Sequence, residues 1–444
     1  MKKSKFSLIA AIILIASMAL GACAPAATEA PAAPAPTQAP AQPAATEAPA
    51  ATEAPAAPTE AAATPVTLAI EHFSVIAGTT WSGAQDRAGK RVAEKYPNVT
   101  YIFRENVTPD QSVPFAEEMI AGGANIVVGN AEFMGLPLKD IADKYPDVYF
   151  GSVIASDVST MPNFIRFFPK QYQALYLEGL IAAALTETGN IGITSAFPTV
   201  QVNRRQAGFV LGVQDAAKML NKDVKVYVKY AGDWYLPTDE RSIAETLVDT
   251  YNCDVLTQQT DSSSTMDVAK EKGVWFVGKD MDIVGEYGWS DTNTVAVSFD
   301  TRWEVIYEKM VKDFMDGVKD PGGVWFPGME TTMTLADGTV EPTVDLMNDH
   351  KIGVDAISPA ALPLVPQEIQ DLVKQRRDQM MNGEWDPFTA HEFVSNGTGL
   401  DLTSTGGPAI PAAGTVVKPA DQVQTPEWLL SEFNFDLQGT TILQ

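Results

Sequence analysis

The sequence predicts an α/β fold of two Rossmann-like lobes, each built on a parallel sheet and joined by hinge strands. Three observations predict it. Short β-rich runs alternate with amphipathic helical runs, the rhythm of parallel sheets carrying helices on both faces. That rhythm restarts around Pro169. Finally, "NIVVGNAEFMGLPLKDIADKYPDVYFGS" and "DVLTQQTDSSSTMDVAKEKGVWFVGKD" share one plan on either side of the restart. Each reads as a strand, a polar loop, a helix ending in lysine, and an aromatic-rich strand ending near glycine.

The chain has 444 residues, and its N-terminus reads as a targeting segment. Lys2, Lys3 and Lys5 precede an apolar run from Phe6 to Leu20, and the segment closes at Cys23, the pattern of a secretory signal over residues 1–22. The run is short for a membrane span, which takes about 20 residues. "LGAC", Leu20 to Cys23, resembles the lipobox of bacterial lipoproteins. The resemblance implies a diacylated Cys23 as mature N-terminus and a protein held at the outer face of the cell membrane. Residues 23–65 are almost wholly Ala, Pro, Thr, Glu and Gln, with "ATEAPA" repeated. Nothing there can be buried and proline forbids ladders, so the segment reads as an extended tether.

Lobe 1 is expected over 66–168 and completed by about 300–322. "VTLAIEHF", "VTYIFREN", "NIVVGN" and "VYFGSVIA" are its strands, and "SGAQDRAGKRVAEKYP", "SVPFAEEMIAGG" and "LPLKDIADKYP" its helices. Lobe 2 is expected over 169–299 and completed by about 323–390. It opens with the helix "QYQALYLEGLIAAALTETG", stopped by Gly189, and the strand "NIGITSAF". A helix through "VNRRQAGFVLGVQDAAKML", the strand "VKVYVKYAG" and a helix through "DERSIAETLVDTY" follow. The strand "TVAVSFD" and the helix "RWEVIYEKMVKDFMDG" come after the segment 254–282. Residues 399–444 begin as a linker-like extension and finish with an apolar-rich segment, either docked on the body or free.

The net charge of −25 argues against nucleic acid, whose phosphates would be repelled. In the body the only cysteine is Cys253, which excludes an intrachain disulfide there and reads as a small buried filler. His72, His350 and His391 are the only histidines, and they are scattered. No histidine-based metal cluster or triad is evident, no catalytic residue is assigned, and no cofactor is expected. No G-x-S-x-G elbow or Walker loop is present.

Ligands of such sheets sit beyond the carboxyl ends of the strands. Trp81, Glu105, Phe133, Phe197, Trp234, Asp261 and Asp282 lie there. Aromatic faces with carboxylate acceptors suit a flat heteroaromatic ring, whose faces are sandwiched and whose N–H edge is accepted. Facing lobes would bring "GNAEF" and "QQTDSSS" to opposite walls of one cleft, with the second run as its polar wall.

"RENVTPD", "ADKYPDVYF", "LYLEGLIAA", "TSAFPTVQVNRRQAGFVLGVQ", "GDWYLPTDE", "CDVLTQQTDSSSTMDVAKEKGVWFVGKDMD" and "NGEWDPF" occur in this order. On these segments the body, from about 66 to about 388, resembles the basic membrane protein family of ABC-transporter substrate-binding lipoproteins. The family is related to purine nucleoside receptors, and within it the chain is similar to the branch associated with free purine bases. The resemblance implies a type I periplasmic-binding-protein fold and a monomeric receptor that passes a purine base or nucleoside to a membrane permease. It implies base stacking at Trp81 and Trp234, with Phe133 and Phe197 as further wall. Asp261 and Asp282 would accept ring or exocyclic N–H groups, with Glu105 as a further polar contact. Two departures, "TTWSGAQD" after the first strand and Asp300 where the nucleoside receptors carry lysine, count against ribose recognition. A sugar receptor of the same fold, a nucleoside-processing enzyme and a signalling receptor are the alternatives.

Overall fold

In "VTLAIE" every residue but Thr67 is buried, and the run forms the first strand, β1, Val66–Glu71. The computed structural model describes residues 64–153, 161–318, 324–334 and 338–444. The signal, Cys23 and nearly all of the tether therefore lie outside the described residues.

After β1 come α1 (Trp81–Lys95), β2 (Val99–Arg104), α2 (Ser112–Ala121), β3 (Ile126–Gly129), α3 (Glu132–Ala142), β4 (Tyr149–Ser152) and β5 (Phe164–Phe167). Lobe 2 runs through α4 (Gln171–Leu185), β6 (Asn190–Ser195), α5 (Val200–Leu220), β7 (Lys225–Tyr230), α6 (Pro237–Asp249), β8 (Val255–Gln259), α7 (Ser264–Lys272), β9 (Trp275–Val277) and β10 (Val295–Thr301). The chain then returns to lobe 1 as α8 (Trp303–Met315) and β11 (Val324–Trp325). The first sheet has the order β11-β5-β4-β3-β1-β2 with every pairing parallel.

A small hairpin, β12 (Thr332–Thr334) with β13 (Val340–Pro342), precedes β14 (Val344–Asn348), β15 (Lys351–Ile352) and α9 (Gln367–Met381). The final section holds α10 (Pro387–Ala390), β16 (Phe393–Gly399), β17 (Val416–Lys418), α11 (Pro426–Ser431), β18 (Phe435–Leu437) and β19 (Thr440–Leu443). The second sheet has the order β15-β14-β10-β9-β8-β6-β7-β19. Its centre is parallel, while β14 joins β10 and β15 joins β14 antiparallel. This is the expected α/β architecture. Both lobes carry the order β2-β1-β3-β4 or its lobe-2 counterpart β7-β6-β8-β9, so each has a switch point where crossovers part to opposite faces.

Two details differ from the sequence reading. Lobe 1 extends beyond 322, because β11 pairs with β5 before the chain crosses back. The segment 399–444 is also no linker. Phe388 and Phe433 stack at 5.6 Å, Phe433 and Phe435 at 4.8 Å. The Arg204 guanidinium on α5 donates to the Leu429 carbonyl at 2.7 Å. β19 then pairs parallel with β7 and covers an edge of the second sheet.

The lobes are joined by three crossings that bond to one another. Phe168 N–H donates to Trp325 O at 3.0 Å, Lys170 N–H to Pro327 O at 2.7 Å, and Arg302 N–H to Thr343 O at 2.7 Å. Lobe 2 is built around α4, whose fifteen residues are all buried. Its backbone touches α5 so closely that a Cβ on Gly179 would strike the Phe209 carbonyl, and one on Gly212 the Tyr176 carbonyl. Cys253 is buried, and burial pushes its thiol up to about 12, the state of an inert filler.

Candidate functional site

Both switch points open onto one cavity of about 330 Å³ between the lobes. Phe73 follows β1, Asn130 follows β3 and Val153 follows β4. From the other side Phe197 follows β6, Asp261 follows β8 and Lys279 follows β9. The carboxyl ends of six strands thus converge on it, as strand-end geometry requires.

Five of the seven residues singled out from sequence line this cavity: Trp81, Phe133, Phe197, Trp234 and Asp261. Phe197 and Trp234 meet edge to face at 5.0 Å. Phe133 is 39% exposed and stands on the opposite lobe. Trp81 opens α1 and is nearly buried. Its Nε1–H donates to Asn130 O at 2.7 Å and its ring packs on Trp303 at 5.1 Å, so it forms fixed wall.

The other two residues lie elsewhere. Glu105 is exposed and accepts the Ile76 N–H at 2.6 Å, which ties down the loop after β1. Asp282 is fully buried away from the cavity. It accepts the N–H groups of Gly285 and Asp349 at 2.9 Å and of His350 at 2.8 Å, three backbone donors that occupy the carboxylate. Asp300, noted for replacing a lysine, also lies outside the cavity lining. There it accepts from Arg87 at 2.8 Å and pairs with Arg302 at 2.9 Å, and burial raises it to about 6 against the pull of both guanidinium groups.

The run "QQTDSSS" contributes less than its composition suggests. Of it, only Asp261 reaches the cavity. Gln258 donates to Thr260 O and Ser262 O, and the Ser262 hydroxyl donates to Glu240 at 2.7 Å, so these amides and hydroxyls hold the loop.

The polar end of the cavity contains two cations that sequence reading missed. Lys279 Nζ donates to Asp261 Oδ1 at 2.9 Å and to Asp280 Oδ2 at 2.7 Å. Arg205 donates to Asp280 Oδ1 at 2.9 Å. Burial alone would raise the Asp280 carboxyl, but Arg205 and Lys279 outweigh it and hold the group below its ordinary value. Asp280 also has φ 66°, a left-handed backbone that costs a non-glycine residue about 1 kcal/mol. Its two ion pairs and the Gln171 amide at 3.0 Å hold it there. The signal available in sequence was only "RR" within a helix and "GKD" after a strand, neither of which marks a cavity-facing cation.

Asp261 also connects the lobes. Its Oδ1 accepts the Thr80 hydroxyl at 3.1 Å, and its carbonyl accepts the Thr80 N–H at 3.2 Å. Behind the cavity, Arg87 and Arg91 of α1 reach Glu286 of lobe 2 at 2.5 and 2.6 Å. Burial opposes the Glu286 charge, yet Arg87, Arg91 and Arg302 bring that carboxyl down to about 2. Among the described residues no group of three or more His, Cys, Asp or Glu side chains is gathered for a metal ion. The chemistry on display is aromatic contact, ion-paired donors and the carboxylates of Asp261 and Glu132, an arrangement for holding a small molecule.

Comparison with known proteins agrees. A relative from Haloferax volcanii, named as an ABC transporter glucose-binding protein, is 27% identical over 74% of this chain and 75% of its own. A purine-binding protein of Brucella abortus is 25% identical over 70% of this chain and 79% of its own. The solved structure of an ABC transporter solute-binding protein from Aeropyrum pernix covers 72% of this chain and 92% of its own, with a TM-score of 0.58 at 17% identity, which bears on the fold alone. The family model described as "ABC transporter substrate-binding protein PnrA-like" matches residues 66–352. The chain belongs to this Bmp family of ABC-transporter substrate-binding proteins.

Proposed function

We propose that the protein is a lipid-anchored extracytoplasmic receptor that captures a purine base or nucleoside in the interlobe cavity and delivers it to an ABC permease. One observation carries this reading. Aromatic side chains from both lobes face a cavity whose far end presents Asp261 with Lys279 and Arg205. A flat ring gains contact on its faces, while its edge meets groups that a mismatched ligand would leave desolvated and unpaired. The size is within the usual range for small-molecule sites, roughly 300–1,000 Å³. The purine-binding name of the Brucella relative supports the ligand class.

Capture works by a shift between open and closed lobes. The Thr80–Asp261 contacts belong to the closed form, in which the permease recognises its cargo. The Cys23 lipid and the Ala/Pro-rich tether keep the body near that permease.

Calorimetric titration of the purified chain, stripped of carried-over ligand, tests the proposal with adenine, guanine, hypoxanthine, adenosine and glucose. Micromolar or tighter purine binding without turnover is expected, and the ratio of base to nucleoside affinity reads the ribose preference. A second reading, a sugar receptor, has the name of the Haloferax relative in its favour. Preference for glucose over every purine would establish it, and release of free base from adenosine would establish an enzyme.

A further inference from the structure

We infer that Arg204 is a positioning residue that couples the C-terminal segment, residues 391–444, to the crossings between the lobes and so helps hold the receptor closed. The inference rests on the lobe closure proposed above and is independent of the solute. The segment contributes no residue to the cavity lining and lies beyond 66–352, the span matched by the family model.

Arg204 stands on α5 beside the cavity-lining Arg205 and is 1% exposed. A guanidinium taken out of water needs acceptors or aromatic faces in its place. Its Nη1 donates to the Leu429 carbonyl of α11 at 2.7 Å, while Nη2 has no acceptor among the described residues. Its Cζ lies 4.6 Å from the centre of the Phe168 ring and 5.5 Å from that of Phe326. Those two rings belong to two of the three crossings, which the Phe168 N–H to Trp325 O bond ties together. One side chain of lobe 2 therefore bears on both crossings, and its acceptor comes from the C-terminal segment. Burial pulls Arg204 down to about 9, against the pull of Tyr172 and of Glu132 in the opposite wall of the cavity.

The contact continues to the cleft. Phe168 packs on Trp81 at 6.1 Å, and the residue before Trp81, Thr80, donates its N–H to the Asp261 carbonyl of the other lobe. Leu429, Arg204, Phe168 and Trp81 thus form one line of touching groups from the C-terminal segment to an interlobe bond. Opening the lobes bends the crossings and shifts Phe168 and Phe326 against a guanidinium that Leu429 holds in place. A buried cation has nothing with which to replace those contacts, so their loss weighs against opening. A rival route runs from Phe433 through Phe388 and Tyr172 to Phe326, at 5.6, 3.8 and 6.0 Å, and bypasses Arg204.

The test is amide hydrogen exchange on the full chain without ligand, as wild type, Arg204→Met, Phe433→Ala and the double variant. The Thr80 N–H reads parting of the lobes, because its acceptor lies across the cleft, and the amides of β6 read global unfolding. In Arg204→Met, exchange at Thr80 is expected to quicken about tenfold, the lower end for loss of a hydrogen bond to a charged group. Phe433→Ala is expected to quicken it by a smaller factor, and to add almost nothing once Arg204 is gone. Quicker exchange in β6 with Thr80 unmoved would give Arg204 a merely structural role and overturn the inference. Multiplying factors in the double variant would overturn Arg204 as the link and favour the rival route. Wild-type exchange at Thr80 no faster than in β6 would overturn lobe closure and this inference together, leaving the solute reading untouched. Arg204→Lys keeps a donor for the Leu429 carbonyl and loses the guanidinium face. It is read in the same way should Arg204→Met fail to fold.

Discussion

The two walls of the cavity are built at equivalent positions and differ in chemistry. In lobe 1, Glu71 of β1 pairs with Gly129 of β3; in lobe 2, Ser195 of β6 pairs with Gln259 of β8. Two residues beyond each of these lie Phe73 and Ala131 in lobe 1, and Phe197 and Asp261 in lobe 2. All four line the cavity. The aromatic contribution is thus repeated and the polar one is not. Lobe 1 does offer Asn130 and Glu132 to the lining, and the Asn130 amide already meets Phe73 N–H, His72 and Ser82. The difference separates two tasks. On the proposed function, contact area would come from both lobes, and discrimination would fall to lobe 2, where Asp261, Lys279 and Arg205 form one ion-paired set with Asp280.

The largest test of this division is Asp261→Ala. It removes a carboxylate of the cavity lining, leaves Lys279 with only Asp280 and breaks the Thr80 side-chain contact. Purine affinity should fall on the order of a hundredfold, about 3 kcal/mol, with loss of selectivity among bases. Unchanged affinity by calorimetry would remove Asp261 from ligand recognition. A smaller effect is expected for Trp234→Ala, which deletes the edge-to-face partner of Phe197. Loss of about tenfold, spread evenly over the bases, follows from a ring contact of about 1 kcal/mol. A change in the ratio of bases would instead give the aromatic wall a share in discrimination.

The smallest effect concerns the paired strand ends themselves. Lobe 1 carries the buried acid Glu71 where lobe 2 carries Ser195. Burial raises Glu71 from 4.5 to about 8, opposed by the Ser112 hydroxyl at 2.6 Å. A carboxyl raised in the folded state contributes stability that is full below about 4.5 and is lost as pH rises through 8. His72 has the opposite sign. Burial, followed by Lys90, lowers it from 6.5 to about 3, so its contribution is lost as pH falls through that range. Between pH 6.5 and 8 the Glu71 slope therefore stands clear of His72. Glu71→Gln should flatten the decline of Tm there by a few degrees, with little change in ligand affinity. A decline equal to that of the wild type would show that the acid is not its source.

Much of the frame was legible in the chain. β1, β3, β6 and β8 lie where short β-rich runs alternate with helices, and the restart at Pro169 falls at the first crossing between lobes. Aromatic residues just past strand ends lie at the cavity, because strand direction fixes where such residues emerge. Carboxylates were read less well. Asp261 and Asp282 look alike in sequence, each a polar acid beyond an apolar strand. Asp282 is occupied by three backbone N–H groups, two of them from residues 349 and 350. Lys279 and Arg205 carry no sequence mark of a buried site, because their role depends on folding that sets Asp280 between them. β19 escaped notice because four residues, "TTIL", hold too little pattern to announce a strand. Its partner β7 lies more than two hundred residues earlier.

The sequence by itself determined the alternation of strands and helices, the two-lobed plan and the aromatic strand ends, since backbone geometry converts local periodicity directly into elements. Which charges face the cavity, which are consumed by loops, and where the last strand docks were decided only in the tertiary structure. Those outcomes depend on partners distant in the chain, and a buried ionic group has no fixed role until its counter-charges are in place.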